Sequence, residues 1–111
     1  AVSRGDRFGD LVVAAVDRLE PRWGPHLPAL DVEVHDVPPA SATGVDGDVP
    51  LAAHRPARGD RPPVVVVYRR PVELRAPERP ARVDLVRDLV AEQLAELLGL
   101  DPGELDPGYD A

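Results

Sequence analysis

Residues 85–101 read LVRDLVAEQLAELLGLD, and this stretch decides how the rest of the chain must be arranged. Val86, Val90, Leu94 and Leu97, continued toward the N-terminus by Val83, recur at spacings of three and four, which makes one apolar stripe on a helix. Leu85 and Leu89 fall on a different side, so two flanks are apolar and the helix must pack on both a sheet and a second helix. Pro80 or Ala81 suits its first turn. Gly99 fits the left-handed position just past a helix end, and Leu100 supplies the accompanying hydrophobic contact. The pattern predicts a helix over 80–98. Asp101, Pro102 and Glu104 then restart a short turn with cap, first and third positions filled, and Pro107 and Gly108 end it.

The partner helix is predicted over 7–19. Phe8, Leu11, Val12, Ala15, Val16 and Leu19 form its stripe, Ser3 or Asp6 can cap its start, and Pro21 is expected to end it. Residues 20–28 hold Pro21, Gly24, Pro25 and Pro28 and read as a turn-rich connection in which Trp23 covers one end of the core. Residues 31–37 alternate, with Val32 and Val34 on one side and Glu33 and His35 on the other, the pattern of a half-buried strand stopped by Pro38. Val64–Tyr68, VVVVY, is the clearest strand. Its apolar residues on both faces predict a central position covered on each side. Arg69, Arg70 and Pro71 close it, and residues 72–75 fit either a brief strand or one helical turn.

Between these strands the signal weakens. Residues 38–63 form a proline-rich loop in which a short strand fits around 43–45 or 49–52, while 54–62 reads as a mobile loop. His26, His35 and His54 lie in a loop, on the polar side of a strand and in this proline-rich segment. None makes a close-spaced pair, so each is expected to have an ordinary surface role.

Composition removes several classes of function. The 111 residues suit one domain with a modest core. With no cysteine, disulfides and thiolate metal sites are excluded. No apolar run approaches a membrane span, so a soluble, cytoplasmic protein is expected, with no membrane partner. The net charge is −7, from 13 basic and 20 acidic residues, which disfavours nucleic acid as a partner. The charge is uneven. Residues 55–82 are arginine-rich, opposed only by Asp60, Glu73 and Glu78, whereas 84–110 is acidic apart from Arg87. Every Lys/Arg-type cation is arginine, which reflects coding bias rather than a binding surface.

The order of these elements, with the YRRP segment at residues 68–71 and the helix ending at Gly99, resembles the small bacterial zincin-like metallopeptidase family over residues 6–109. Members of that family carry HExxHxxG with an acid shortly after. The resemblance implies an α+β, minimal zincin-like fold: a small mixed β-sheet packed against two main helices, in a single domain over 1–111. Matched without a gap through Gly99, the family's first histidine falls on Glu92, its catalytic glutamate on Gln93 and its second histidine on Glu96. Gly99 is retained. Asp101 stands one residue ahead of the family's later aspartate, whose register falls on Pro102.

That motif is degenerate. Two imidazoles four residues apart grip zinc, and a glutamate beside the first activates the bound water. Here the imidazoles are absent, and Gln93 has no titrating group with which to take a proton. The expectation is a zincin-like protein without catalytic residues, zinc or other cofactor, acting through binding of a peptide or a protein. Glu92, Gln93 and Glu96 would line its groove, faced by Arg69, Arg70 and Arg75. The alternative is a metal-dependent peptidase with a divergent carboxylate site, in which Asp101 or Asp110 joins Glu92 and Glu96 around an oxygen-preferring ion such as calcium, magnesium or manganese.

Overall fold

Four consecutive β-branched residues make Val64–Tyr68 (β3) the middle strand of a three-stranded sheet ordered β1-β3-β2. Its neighbours are Asp31–His35 (β1), which runs parallel to it, and Ala52–Arg55 (β2), which runs antiparallel. The computed structural model describes residues 4–42 and 47–109. Besides the sheet these form helices at Arg4–Trp23 (α1), Arg69–Arg75 (α2), Arg79–Leu98 (α3) and Pro102–Leu105 (α4), with a 3-10 turn at Ala40–Ala42. The fold is α+β, a small mixed sheet with helices packed against it.

Strand register decides what faces the helices. Val32 and His54 lie opposite Val65, and Val34 and Ala52 lie opposite Val67, so these six residues share one face. Val65 and Val67 are fully buried there with Phe8, Val12, Val16 and Leu19 of α1 and Val86, Leu89, Val90 and Leu94 of α3. The core therefore lies between one sheet face and two long helices, as the two apolar flanks of residues 80–98 require. On the opposite face Val66 and Tyr68 are also buried, and among the described residues neither of the two long helices lies there. Long polar neighbours flank them, with Arg55 donating to Glu33 at 2.5 Å and His35 Nε2 meeting the other Glu33 oxygen at 2.9 Å.

Several boundaries differ from the sequence expectation. Pro21 does not end α1, which continues to Trp23. A proline in the last turn removes only its own N–H, and Trp23 anchors that turn from the core by donating its indole N–H to the Val16 carbonyl at 2.9 Å. β1 stops at His35 because the Asp36 carbonyl accepts from the Arg70 N–H at 3.0 Å instead of extending the ladder. Residues 69–75 are helical from Arg69, with Pro71 in the first turn, where a missing donor is harmless. The strand expected around 49–52 is shifted to Ala52–Arg55, so His54 and Arg55 belong to a strand and not to a loop. The strand expected around 43–45 lies outside the described residues.

The end of α3 agrees with the sequence. Gly99 is left-handed, with φ of 70°, and the Leu100 N–H bonds back to the Ala95 carbonyl at 2.9 Å. The next turn forms as α4, but Asp101 caps it through its backbone carbonyl, which accepts from the Glu104 N–H at 3.0 Å, and not through its side chain. Beyond α4 the chain buries Leu105 and Asp106. Asp106 accepts from Arg18 of α1 at 2.5 Å and from the Gly108 N–H at 2.9 Å. Burial pushes the Asp106 carboxyl up. The Arg18 and Gly108 hydrogen bonds, with the charges of Arg18 and Arg87, outweigh it and hold the carboxyl below its usual range.

The Asp106 side chain is 2% exposed and that of Arg18 37%, so removing either partner has unequal consequences. Arg18→Ala strands a buried carboxylate and should cost about 3 kcal/mol, whereas Asp106→Asn frees a guanidinium that water can reach and should cost about 1 kcal/mol. Because the folded carboxyl is depressed, the pair stabilises above the ordinary aspartate pKa and loses its effect as pH falls through the folded value; urea unfolding of wild type and Arg18→Ala should converge in that acid range. A Cβ on Gly99 would meet no atom within 4 Å, so Gly99→Val should lose about 1 kcal/mol or more through backbone strain alone, measured the same way.

Candidate functional site

α3 carries Glu92, Gln93 and Glu96 past the sheet on its exposed flank. Leu94 and Ala95 are buried, which fixes the helix rotation and leaves Glu92 and Gln93 half-buried and Glu96 exposed. Gln93 and Glu96, three residues apart, stand above one another on the side that meets β2. His54, on the helix-facing side of β2, reaches both. Its Nδ1 lies 2.7 Å from Gln93 Oε1 and 3.3 Å from Glu96 Oε2. Both neighbours offer oxygens, so Nδ1 is placed to donate toward them.

The surface role expected for His54 is therefore corrected. Its side chain is 27% exposed and is tied to two of the motif positions. The sequence holds a faint signal for this: Ala52 and His54 alternate with Leu51 and Ala53 between Pro50 and Pro56. Only pairing with the valines of β3 turns so short a run into a strand. His35 is exposed on the other sheet face, against Glu33, and His26 lies in the turn after α1.

Glu92 points to different company. It accepts the hydroxyl hydrogen of Tyr109, which the turn after α4 brings back across α3. That hydrogen bond is the largest cause raising the Tyr109 phenol to about 12, with desolvation and the charges of Glu92 and Asp88 adding to it. Gly99 ends the helix beyond this cluster, and the Asp101 side chain is exposed at the start of α4.

The arginines expected to face the motif sit elsewhere. Arg69 donates to Asp36 at 3.0 Å and to Glu73 at 2.9 Å, an arrangement that draws it to the β1 side and holds the Asp36 carboxyl below its usual range. Arg70 and Arg75 are exposed on α2. His54 pairs with Val65, so the four residues from Val65 to Arg69 separate the two groups by about 13 Å along β3. Arg75 lies off the start of β2, beside a depression lined by Val49, Leu51, Pro71 and Leu74.

These residues do not fit a catalytic zinc centre. Glu92 is bound to a phenol, Glu96 lies against an imidazole, and Gln93 carries an amide with no titrating group. Among the described residues no group of three or more His, Cys, Asp or Glu side chains is placed to hold a metal ion, and Asp110 lies outside them. The Tyr109 contact has its own test. In a Tyr68→Phe background, Tyr109 should titrate near 12, and Glu92→Gln should return it toward the ordinary phenol value, read from phenolate absorbance. The raised value means that the contact stabilises fully below the ordinary phenol pKa and is lost as pH climbs through about 12.

Comparison with known proteins agrees with the architecture. No curated protein matches the chain. No helix among the described residues is long and apolar enough to cross a membrane. The family model described as zincin-like metallopeptidase matches residues 26–110, which takes in the whole sheet, α2, α3 and the glycine turn. On that match the chain belongs to the zincin-like metallopeptidase family.

Proposed function

We propose that this chain is a zincin-like domain that holds an extended segment of peptide or protein without cleaving it. One observation carries the reading: the side chains at the three positions read for the family's histidines and glutamate are already engaged within the protein. Glu92 holds Tyr109, and Gln93 and Glu96 hold His54. A peptidase needs an electrophile to polarise the scissile carbonyl and a base to activate water. Gln93 supplies neither function, and the two glutamates replace the imidazoles that would retain zinc.

The binding surface of this reading is the outer edge of β2. An edge strand offers unpaired backbone groups to a guest strand, and side-chain pockets beside it confer selectivity. Along β2 the surroundings change character. Glu96, 67% exposed, gives one end a negative charge. At the other end Leu74 is 83% exposed and Val49 is 53% exposed, with Arg75 at the rim. A guest with a cationic residue toward His54 and an apolar and an acidic residue toward α2 complements this gradient. Of the three arginines read from the sequence, Arg75 is the one suited to that role, since Arg69 is already paired.

A peptide array against the intact protein tests this. Hits should share the basic-to-acidic order, and Glu96→Arg or Arg75→Glu should weaken them by about 1 kcal/mol each, roughly fivefold, whereas Arg69→Gln should leave affinity unchanged and lower stability. A broad peptidase screen with added zinc should give no turnover. Cleavage that disappears in Glu96→Ala would replace this reading with the carboxylate-site peptidase.

A further inference from the structure

A second feature lies away from β2, where α1 and α3 both begin. A pocket of about 440 Å³ opens there, within the size range of small-molecule sites. Its wall is mostly polar, with Arg7, Arg79 and Arg82 around it, and Leu11 and Pro77 with the edge of the nearly buried Phe8 supply its smaller apolar part. Among the described residues its one carboxylate, Glu73, already accepts from Arg69 at 2.9 Å.

The arginines are not equivalent. Arg82 is anchored, its Nε donating to the Ala76 carbonyl at 3.1 Å and its Nη2 to the Pro77 carbonyl. That fork uses part of the guanidinium and fixes its plane, leaving further N–H groups for a ligand. Arg7 and Arg79 have no hydrogen-bond or ion-pair partner among the described residues. In a chain with 20 acidic residues against 13 basic ones, carboxylates are in excess, yet among the described residues none pairs with these two. Three guanidiniums around a pocket whose lining carboxylate, Glu73, is held from outside by Arg69 match the planar, multidentate recognition of an anion.

We propose that this pocket binds a small phosphate-bearing molecule, with Arg7 and Arg79 closing on the phosphate, Arg82 as the fixed donor and Phe8, Leu11 and Pro77 receiving an apolar substituent. The site does not rest on the peptide-binding reading, because it uses neither β2 nor the motif positions.

Calorimetric titration of the full chain with inorganic phosphate and with phenyl phosphate tests the proposal. Saturable binding of phenyl phosphate is expected, tighter than that of phosphate and weakened by added salt. Equal affinity for the two would support the anion site with free phosphate as its ligand. Arg7→Gln with Arg79→Gln should reduce affinity by about tenfold or more, since two charge-assisted donors to the phosphate are lost. Both residues are exposed, so the variant should fold as wild type does, checked by circular dichroism. Amide shift changes on phosphate addition to the wild type, centred on residues 7–11 and 77–82, give a readout independent of any variant. No saturable binding of either probe, undiminished binding by the double variant, or shift changes centred elsewhere would overturn it.

Discussion

Burial of Val65 and Val67 on one face of the sheet constrains nearly every other contact in this molecule. Alternate residues of a strand point to the same face, and in a three-stranded sheet that face is too wide for one helix to cover. α1 and α3 share the work, each giving one stripe to the sheet and part of a flank to the other. Once Val86, Val90 and Leu94 are seated, α3 cannot rotate without exposing large aliphatic groups, at a cost of about 1.5–3 kcal/mol for each. The direction of every other α3 side chain is then determined. Gln93 and Glu96 meet β2, and Glu92 meets the returning tail.

Polar groups around α3 obey that geometry. A helix with glutamates at 92 and 96 places like charges four residues apart, which is mildly unfavourable. The acidic residues of 84–110 add to the field. Relief comes from outside the helix: the Tyr109 hydroxyl for Glu92, and the His54 imidazole for Glu96, with Gln93 sharing the same ring nitrogen. The tail is itself held by Asp106 on Arg18, so an ion pair between α1 and the last turn also sets where Tyr109 stands. Among the described residues no buried side-chain nitrogen or oxygen lacks a partner. The helix surface is therefore closed by neutralising contacts from two directions, one local to the tail and one across the sheet edge.

The parts of this arrangement that are legible in the sequence are those written in periodicity. The helix over 80–98, its glycine stop, the helix opening with Phe8 and the valine strand all carry repeated apolar signals whose energies reinforce one another. The parts that are not legible depend on single contacts between distant residues. Pro21 looks terminal because a proline's local effect is visible in sequence, whereas the anchoring of Trp23 by the Val16 carbonyl is not. β2 reads mostly as loop because four residues between prolines have no intrinsic preference strong enough to show. His54 escapes notice for the same reason, since its importance exists only in the register against Val65. Likewise Arg69, Arg70 and Arg75 group together through closeness in sequence, and Asp36, far away in the chain, separates them.

Family and chemistry are carried here by different atoms. The match over 26–110 includes the hydrophobic pattern of the sheet and α3 together with the Gly99 turn, features that packing and backbone conformation require whatever the helix surface does. The outward side chains of α3 are under no such requirement, since packing places no demand on their identity. Glu92, Gln93 and Glu96 can therefore stand on that surface with the fold intact, provided their charges and lone pairs find partners. His54 and Tyr109 are those partners, one reaching α3 from the sheet edge and the other from the returning tail.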